Sequence, residues 1–305
     1  MTPRVSTVTL AKFACAYSGV AWGLFWIPLR WLQDAGIEGP WIGAVFFFFQ
    51  AVCLLPLIIF RLDKQASGGT NLLITGACAG GALAIYALAV VYTDVIRAMM
   101  LFYLTPVWST LLARWILKEP ISGLRWFAIC LAFAGMLIIF GVDIGVPWPR
   151  NLGDWLGLGS GVLWAIAAVR LNLDRTNDPI DLTFGFFAWA TIICVAMAFM
   201  PLSSANSIPQ AGAVWGTLYW LMPILALIVV PGAYAAMWGA RLVNPGIVGL
   251  LFMTEVIVGT ITVAIWAGEP FGAREIIGIS LISAAGLIES VWELFRRPPP
   301  TVRSA

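Results

Sequence analysis

The feature that most restricts this chain is a succession of apolar stretches with almost nothing between them. They run near residues 11–31, 40–60, 71–92, 97–117, 123–142, 153–171, 181–201, 214–238, 244–267 and 273–294. About 20 apolar residues cross the hydrocarbon core of a bilayer. Each stretch is bounded by Gly, Pro or charge, the residues that punctuate helices. Water offers such a chain no place to hide its surface: 61% of its residues are hydrophobic and 10% charged, against about 45–50% and about 25% in soluble domains. The expected fold class is an all-α polytopic membrane protein with ten transmembrane helices and no room for a domain outside the bilayer. The run from Phe13 to Leu29 follows Arg4 and Lys12 as in a secretion signal. Its length, its Trp22, Trp26 and Pro28, and the lack of a small-x-small site make it a retained first helix.

Several chemistries are excluded at once. The chain has no histidine, which removes His-based acid–base catalysis, Ser-His triads and histidine metal sites. Its five cysteines (Cys15, Cys53, Cys78, Cys130, Cys194) stand singly in apolar runs. That spacing makes neither a disulfide framework nor a metal knuckle, so they read as small packing residues. A net charge of +2 gives no footprint for nucleic acid. No cofactor is expected, and the chain is not expected to be an enzyme.

Charge orients the stack. Thirteen of the 17 Lys and Arg fall on one side: Arg4, Lys12, Arg61, Lys64, Arg114, Lys118, Arg125, Arg170, Arg175, Arg241, Arg296, Arg297 and Arg303. Arg30, Arg97, Arg150 and Arg274 fall on the other. Basic loops stay inside, so both termini are expected to be cytoplasmic, in a bacterial-type inner membrane. An even helix count agrees.

The second constraint is an internal echo. "LFYLTPVWSTLLARWILKEP" (101–120) lies over "LFMTEVIVGTITVAIWAGEP" (251–270) at an offset of 150, and the match runs on through "EPISGLRWFAICLAFAGMLIIF" (119–140) and "EPFGAREIIGISLISAAGLIES" (269–290). Earlier, "SGVAWG" (18–23) matches "SGVLWA" (160–165), and Tyr86 can be laid over Tyr234. The order is the same in both halves, which reads as duplication. The expected units are residues 1–147 and 148–295, each of five helices, followed by a basic Pro-rich cytoplasmic tail, 296–305. Five is odd, so the second copy enters the membrane from the opposite side. Such inverted repeats rock around a midplane site and alternate its access, a need that a carrier has and an enzyme lacks.

At these residues the chain resembles the drug/metabolite transporter superfamily in its ten-helix EamA-type branch. The family pattern is a Pro, often after Glu, inside the fourth and ninth helices, then an apolar run and an acidic residue opening the next helix. Here that reads Thr105-Pro106 through Lys118-Glu119-Pro120, and Glu255-Val256 through Gly268-Glu269-Pro270. Ser18 to Trp22 and Ser160 to Trp164 supply the small-x-x-x-Trp pattern of helices one and six. Val256 stands where the family often has Pro, so one hinge is expected to be absent. With its many aromatics the chain is most similar to the YddG-type aromatic amino-acid exporters. The resemblance implies export of small amphipathic metabolites, amino acids first. It implies the bilayer and a small molecule as partners; protons enter only through one reading of Glu255, with uniport the alternative.

Glu255 is the one acid placed deep within a span. Such residues are costly and usually face a cavity. It reads as a proton-coupling site or an anchor for a substrate ammonium, with a protonated structural acid as the alternative. Glu119 and Glu269 open helices beside Pro, where an acid serves the positive helix end. Asp94 and Arg97 read as an interfacial pair with gating as the sharper alternative. Trp31, Trp41, Trp126, Trp148 and Trp155 fall at span ends and suit an interfacial belt. Trp22, Tyr86, Tyr103, Trp108, Trp164, Tyr234 and Trp238 lie within spans and are the candidates to line a substrate pocket with Glu255. Pro28, Pro106 and Pro231, the last beside Gly232, are the candidate hinges, because an intramembrane Pro frees backbone groups. Two other classes remain open: an integral-membrane enzyme, which would need ionisable residues clustered at one interface, and a channel.

Overall fold

The structure, a computed structural model, describes residues 6–93, 95–140, 148–174, 176–200, 208–266 and 271–295. Asp94, Arg175, Glu269, Pro270 and the tail 296–305 lie outside the described residues. Fourteen helices and no strand are found among those described. In order they are α1 (Thr7–Gly23), α2 (Trp26–Asp34), α3 (Pro40–Ile59), α4 (Leu62–Ser67), α5 (Gly69–Tyr92), α6 (Val95–Phe102) and α7 (Thr105–Ile116). Then come α8 (Gly123–Phe140), α9 (Leu152–Leu173), α10 (Pro179–Ala198), α11 (Ala211–Ala240), α12 (Pro245–Phe252), α13 (Thr254–Trp266) and α14 (Ala273–Phe295). Among the described residues six spans are long and apolar enough to cross a membrane: Thr7–Asp34, Pro40–Ile59, Gly69–Ala89, Leu152–Leu173, Pro179–Ala198 and Pro245–Trp266.

The helix starts follow from local chemistry. Asn151, Asp178 and Asn244 cap α9, α10 and α12 by accepting a backbone N–H from Asp154, Ile180 and Gly246. Such caps satisfy donors that have no partner inside the helix. Pro179 and Pro245 follow their caps in the first turn, where a missing N–H costs nothing.

Three helices that the sequence presents as single spans are broken. α1 yields to α2 at Leu24–Phe25, α6 to α7 at Tyr103–Leu104, and α12 to α13 at Met253. The third break corrects the expectation from Val256: the chain interrupts its helix there without a proline. Conversely, α11 stays helical through both Pro223 and Pro231. Pro231 is exposed, while Gly232 is buried where an added Cβ would come within 2.6 Å of Ala21. Gly232 therefore serves close packing on α1. Pro28 is buried inside the short α2.

Packing divides into two apolar clusters. The larger is built on α1, α3, α5, α9, α10 and α11, with Phe46, Phe47, Phe186 and Phe187 wholly buried. The smaller joins α8 and α14 with the two broken helices, through Met100, Tyr103, Met136, Leu250, Met253 and Ile282. Gly135 and Gly278 bring α8 and α14 together so closely that a Cβ on either would lie 2.6 Å from the other's carbonyl oxygen. The remaining principal contacts are α5 on α9 and α10, α3 on α10 and α11, α1 on α11, α12 and α13, and α9 on α6 and α7.

Polar groups sit at the two ends. At one end Arg61 pairs with Asp181 at 2.7 Å and Asp178 at 3.0 Å, Arg170 donates to Asn71 and Thr75, and Arg125 donates to Asn244. Burial pushes the Asp178 carboxyl up, but the Ile180 N–H and the Arg61 charge outweigh it and hold it below its usual range. At the other end Arg97 and Asp154 form a buried pair at 2.5 Å, and Asp154 also accepts from Thr93.

Candidate functional site

A cavity lies where the two clusters meet, against all three helix breaks. Its empty space, counting the part open to solvent, is about 610 Å³. Each break contributes its wall: Trp22 and Phe25 from the first, Phe102, Tyr103, Thr105 and Pro106 from the second, Gly249, Phe252 and Glu255 from the third. Trp164 of α9, with Leu83 and Tyr86 of α5, completes it.

The second and third breaks have a common cause. At the second, the Thr105 hydroxyl donates to the Phe102 carbonyl at 2.5 Å, and the Val107 and Trp108 N–H groups both turn to the Leu104 carbonyl. At the third, the Thr254 hydroxyl donates to the Leu251 carbonyl at 2.9 Å, and the Val256 N–H goes to Met253. Hydroxyls that capture a carbonyl one turn back compete with the helix ladder and bend it. A neighbouring helix then closes on each break at a glycine. A Cβ at Gly19 would lie 2.0 Å from the Thr254 hydroxyl and 2.9 Å from the Phe252 carbonyl. One at Gly161 would lie 2.7 Å from the Phe102 carbonyl and 3.1 Å from the Thr105 hydroxyl. Gly19 and Gly161 are the same position of the "SGVAWG"/"SGVLWA" echo. Three residues on, on the same helical face, Trp22 and Trp164 reach the cavity.

The two tryptophans are bridged. Phe186 of α10 meets Trp22 edge-on at 5.8 Å and Trp164 edge-on at 6.2 Å between ring centroids. Trp22 also meets Phe25, Trp164 meets Phe252, and Tyr86 meets Phe102. These are favourable aromatic arrangements, and they fix the wall of the cavity. Glu255 stands in the first turn of α13, hydrogen-bonded by the Tyr103 side chain. It is the single charged residue among the described residues of the lining.

Of the sequence-predicted pocket residues, Trp22, Tyr86, Tyr103, Trp164 and Glu255 are brought together here, with Pro106 beside them. Trp108, Tyr234 and Trp238 are not among the lining residues described. Trp108 leaves its indole N–H buried without a partner, Trp238 packs on the larger cluster, and Tyr234 is 39% exposed. Phe25, Phe102, Phe252, Thr105 and Gly249 line the cavity although they were not singled out. The offset of 150 carried the signal for three of them: it pairs Phe102 with Phe252, and Thr105 with Glu255. Arg97 pairs with Asp154 of α9, a partner 57 residues away in sequence.

Comparison with known proteins gives a consistent picture. Residues 9–141 match the EamA-like transporter family. A "Biotin transporter" of Escherichia coli (strain K12) is 25% identical over 252 residues, 79% of this chain and 80% of that one. A "Biotin transporter" of Salmonella typhimurium is 26% identical, over 67% of this chain and 68% of its own. An "Uncharacterized transporter" of Clostridium kluyveri is 23% identical over 85% and 86%. A protein of known crystal structure shares the fold, with a TM-score of 0.69 over 95% of this chain and 99% of that one at 15% identity. The matched family and each of these three relatives carry the name of a transporter.

Proposed function

We propose that the chain is a secondary carrier that exports small amphipathic metabolites, amino acids with aromatic or other apolar side chains first among them. It works by alternating access of two inverted five-helix repeats. The observation that carries this reading is the cavity itself, built from paired positions of the two halves: Trp22 with Trp164, Phe102 with Phe252, Thr105 with Glu255. The helix contacts exchange in the same way. α1 on α11 answers α9 on α5, α1 on α12 and α13 answers α9 on α6 and α7, and α3 on α11 answers α10 on α5. The contacts α3 with α10 and α8 with α14 each map onto themselves. A duplicated unit arranged about a two-fold axis produces this pattern, and carriers place their sites at such an axis.

In this reading the substrate's apolar body lies between Trp22 and Trp164, and its polar end meets Glu255. The breaks at Tyr103–Leu104 and Met253 let the half-helices move while the glycine contacts hold them against α9 and α1. Both termini face the cytoplasm, and reporter fusions in the loop at 34–39 read as outside. A cytoplasmic signal there overturns the inverted arrangement. Transport itself is tested by counterflow of labelled tryptophan and phenylalanine in liposomes: saturable exchange is expected, lost in Trp22→Ala with Trp164→Ala. Conductance without counterflow would make the protein a channel. A second reading, biotin as substrate, is favoured by the names of the Escherichia coli and Salmonella typhimurium relatives, and labelled biotin in the same assay decides it.

A further inference from the structure

We propose that the cavity recognises an amine and discriminates against a free carboxylate, so that arylalkyl amines and amino-acid amides bind more tightly than the zwitterionic amino acids the carrier also accepts, and acids bind most weakly. The proposal rests on the reading of this cavity as the substrate site, and it turns on what the lining offers to charge. Glu255 is the only charged residue among the described lining, and it is an acid. The Tyr103 hydroxyl hydrogen-bonds it, which orients the carboxylate and leaves further acceptor positions, since an ionised carboxylate has about four.

The rest of the wall favours the same sign. Six aromatic rings line it besides Tyr103: Trp22, Phe25, Tyr86, Phe102, Trp164 and Phe252. Ring faces carry partial negative charge and attract cations, most strongly on tryptophan. One positive helix start beside the cavity, which could have held an anion, has little left to give. At the start of α7, Pro106 has no N–H, the Val107 and Trp108 N–H groups both serve Leu104, and the Thr105 hydroxyl serves Phe102. Two cations of the neighbouring helices are committed elsewhere, Arg97 to Asp154 and Arg125 to Asn244. An incoming carboxylate would therefore lose its water, meet no cation, and face Glu255 across a site of low dielectric, where like charges repel strongly. An ammonium meets the opposite on each count.

The experiment holds the apolar body constant and varies the charge. Tryptamine, tryptophan amide, tryptophan and indole-3-propionate are titrated calorimetrically into the purified full chain in lipid nanodiscs. Tryptamine and tryptophan amide are expected to bind tightest and indole-3-propionate weakest, at least tenfold apart. Glu255→Gln should flatten the order, and Glu255→Asp, which keeps the charge if the Gln variant proves poorly folded, should preserve it. Binding of tryptophan or indole-3-propionate as tightly as tryptamine, weakened by Trp22→Ala and Trp164→Ala, overturns the charge preference while the site stands. Binding indifferent to Glu255, Trp22 and Trp164 together, or no binding of any of the four, removes the cavity as the substrate site and the preference with it.

Discussion

The two broken helices α6–α7 and α12–α13 are built alike and equipped differently. Both interrupt the ladder at the same place in the repeat, both turn a threonine hydroxyl back on a carbonyl, and both rest on a glycine of the opposite half. Only the first has a proline at its break, Pro106, and only the second has an acid there, Glu255. The comparison teaches that the break is made by hydroxyl and glycine, with proline as an accessory. It also teaches that the difference in charge between the two breaks lies in one residue.

The largest expected effect follows from that residue. In liposomes with an imposed pH gradient, Glu255→Gln should still exchange substrate but lose pH-driven accumulation, while Thr105→Val at the paired position leaves the pH response intact. Full pH-driven accumulation by the Gln variant makes Glu255 a structural hydrogen-bonding group. Next come the glycines. Gly19→Ala and Gly161→Ala each force a side chain into an occupied space, at about 1–3 kcal/mol, read as lower thermal stability of the purified protein. Thr254→Ala should partly rescue Gly19→Ala, because the Thr254 hydroxyl is the nearest obstacle at 2.0 Å. Thr105→Ala should not rescue Gly161→Ala, where the nearest obstacle is the Phe102 carbonyl. Equal rescue in both pairs, measured as a double-mutant coupling, breaks the proposed difference between the two contacts.

Trp22→Ala and Trp164→Ala should each weaken substrate binding on the order of tenfold, and by similar amounts, since Phe186 braces both rings. A loss confined to one makes the pocket one-sided. The smallest effect concerns proline. Val256→Pro removes the Val256 N–H that serves Met253, a single hydrogen bond of about 0.5–1.5 kcal/mol, and transport should survive because Pro106 occupies the paired position. Abolished transport in a folded Val256→Pro variant means that the second break depends on that bond.

What could be read from the sequence follows from what hydropathy encodes. Apolar length located the spans, and the offset of 150 paired Phe102 with Phe252 and Thr105 with Glu255. Glu255 stood out because a carboxylate inside a span is expensive. Which face a ring presents was not legible. In this bundle, surfaces toward neighbouring helices and toward the outside are both apolar, so helical periodicity carries no inside–outside signal, as it does in water. Tyr86 and Tyr234 illustrate the loss: matched in sequence, one lines the cavity and the other is exposed. The break at Met253 was hidden for a different reason. Proline announces itself, whereas a threonine capturing Leu251 beside a glycine 235 residues earlier in the chain does so only once the helices have met. The partnership of Arg97 with Asp154 was hidden in the same way.

The two apolar clusters have a mechanical consequence. Close-packed interiors resist deformation, so each cluster behaves as a stiff body, and compliance is left to whatever joins them. Tyr103 and Met253, the residues at two of the breaks, belong to the smaller cluster, while the partner glycines sit on α1 and α9 in the larger body's framework. The joints of the molecule and the walls of its cavity are thus the same few residues. A ligand that wedges between Trp22 and Trp164 loads the hinge directly, with no need for a long lever to carry the force.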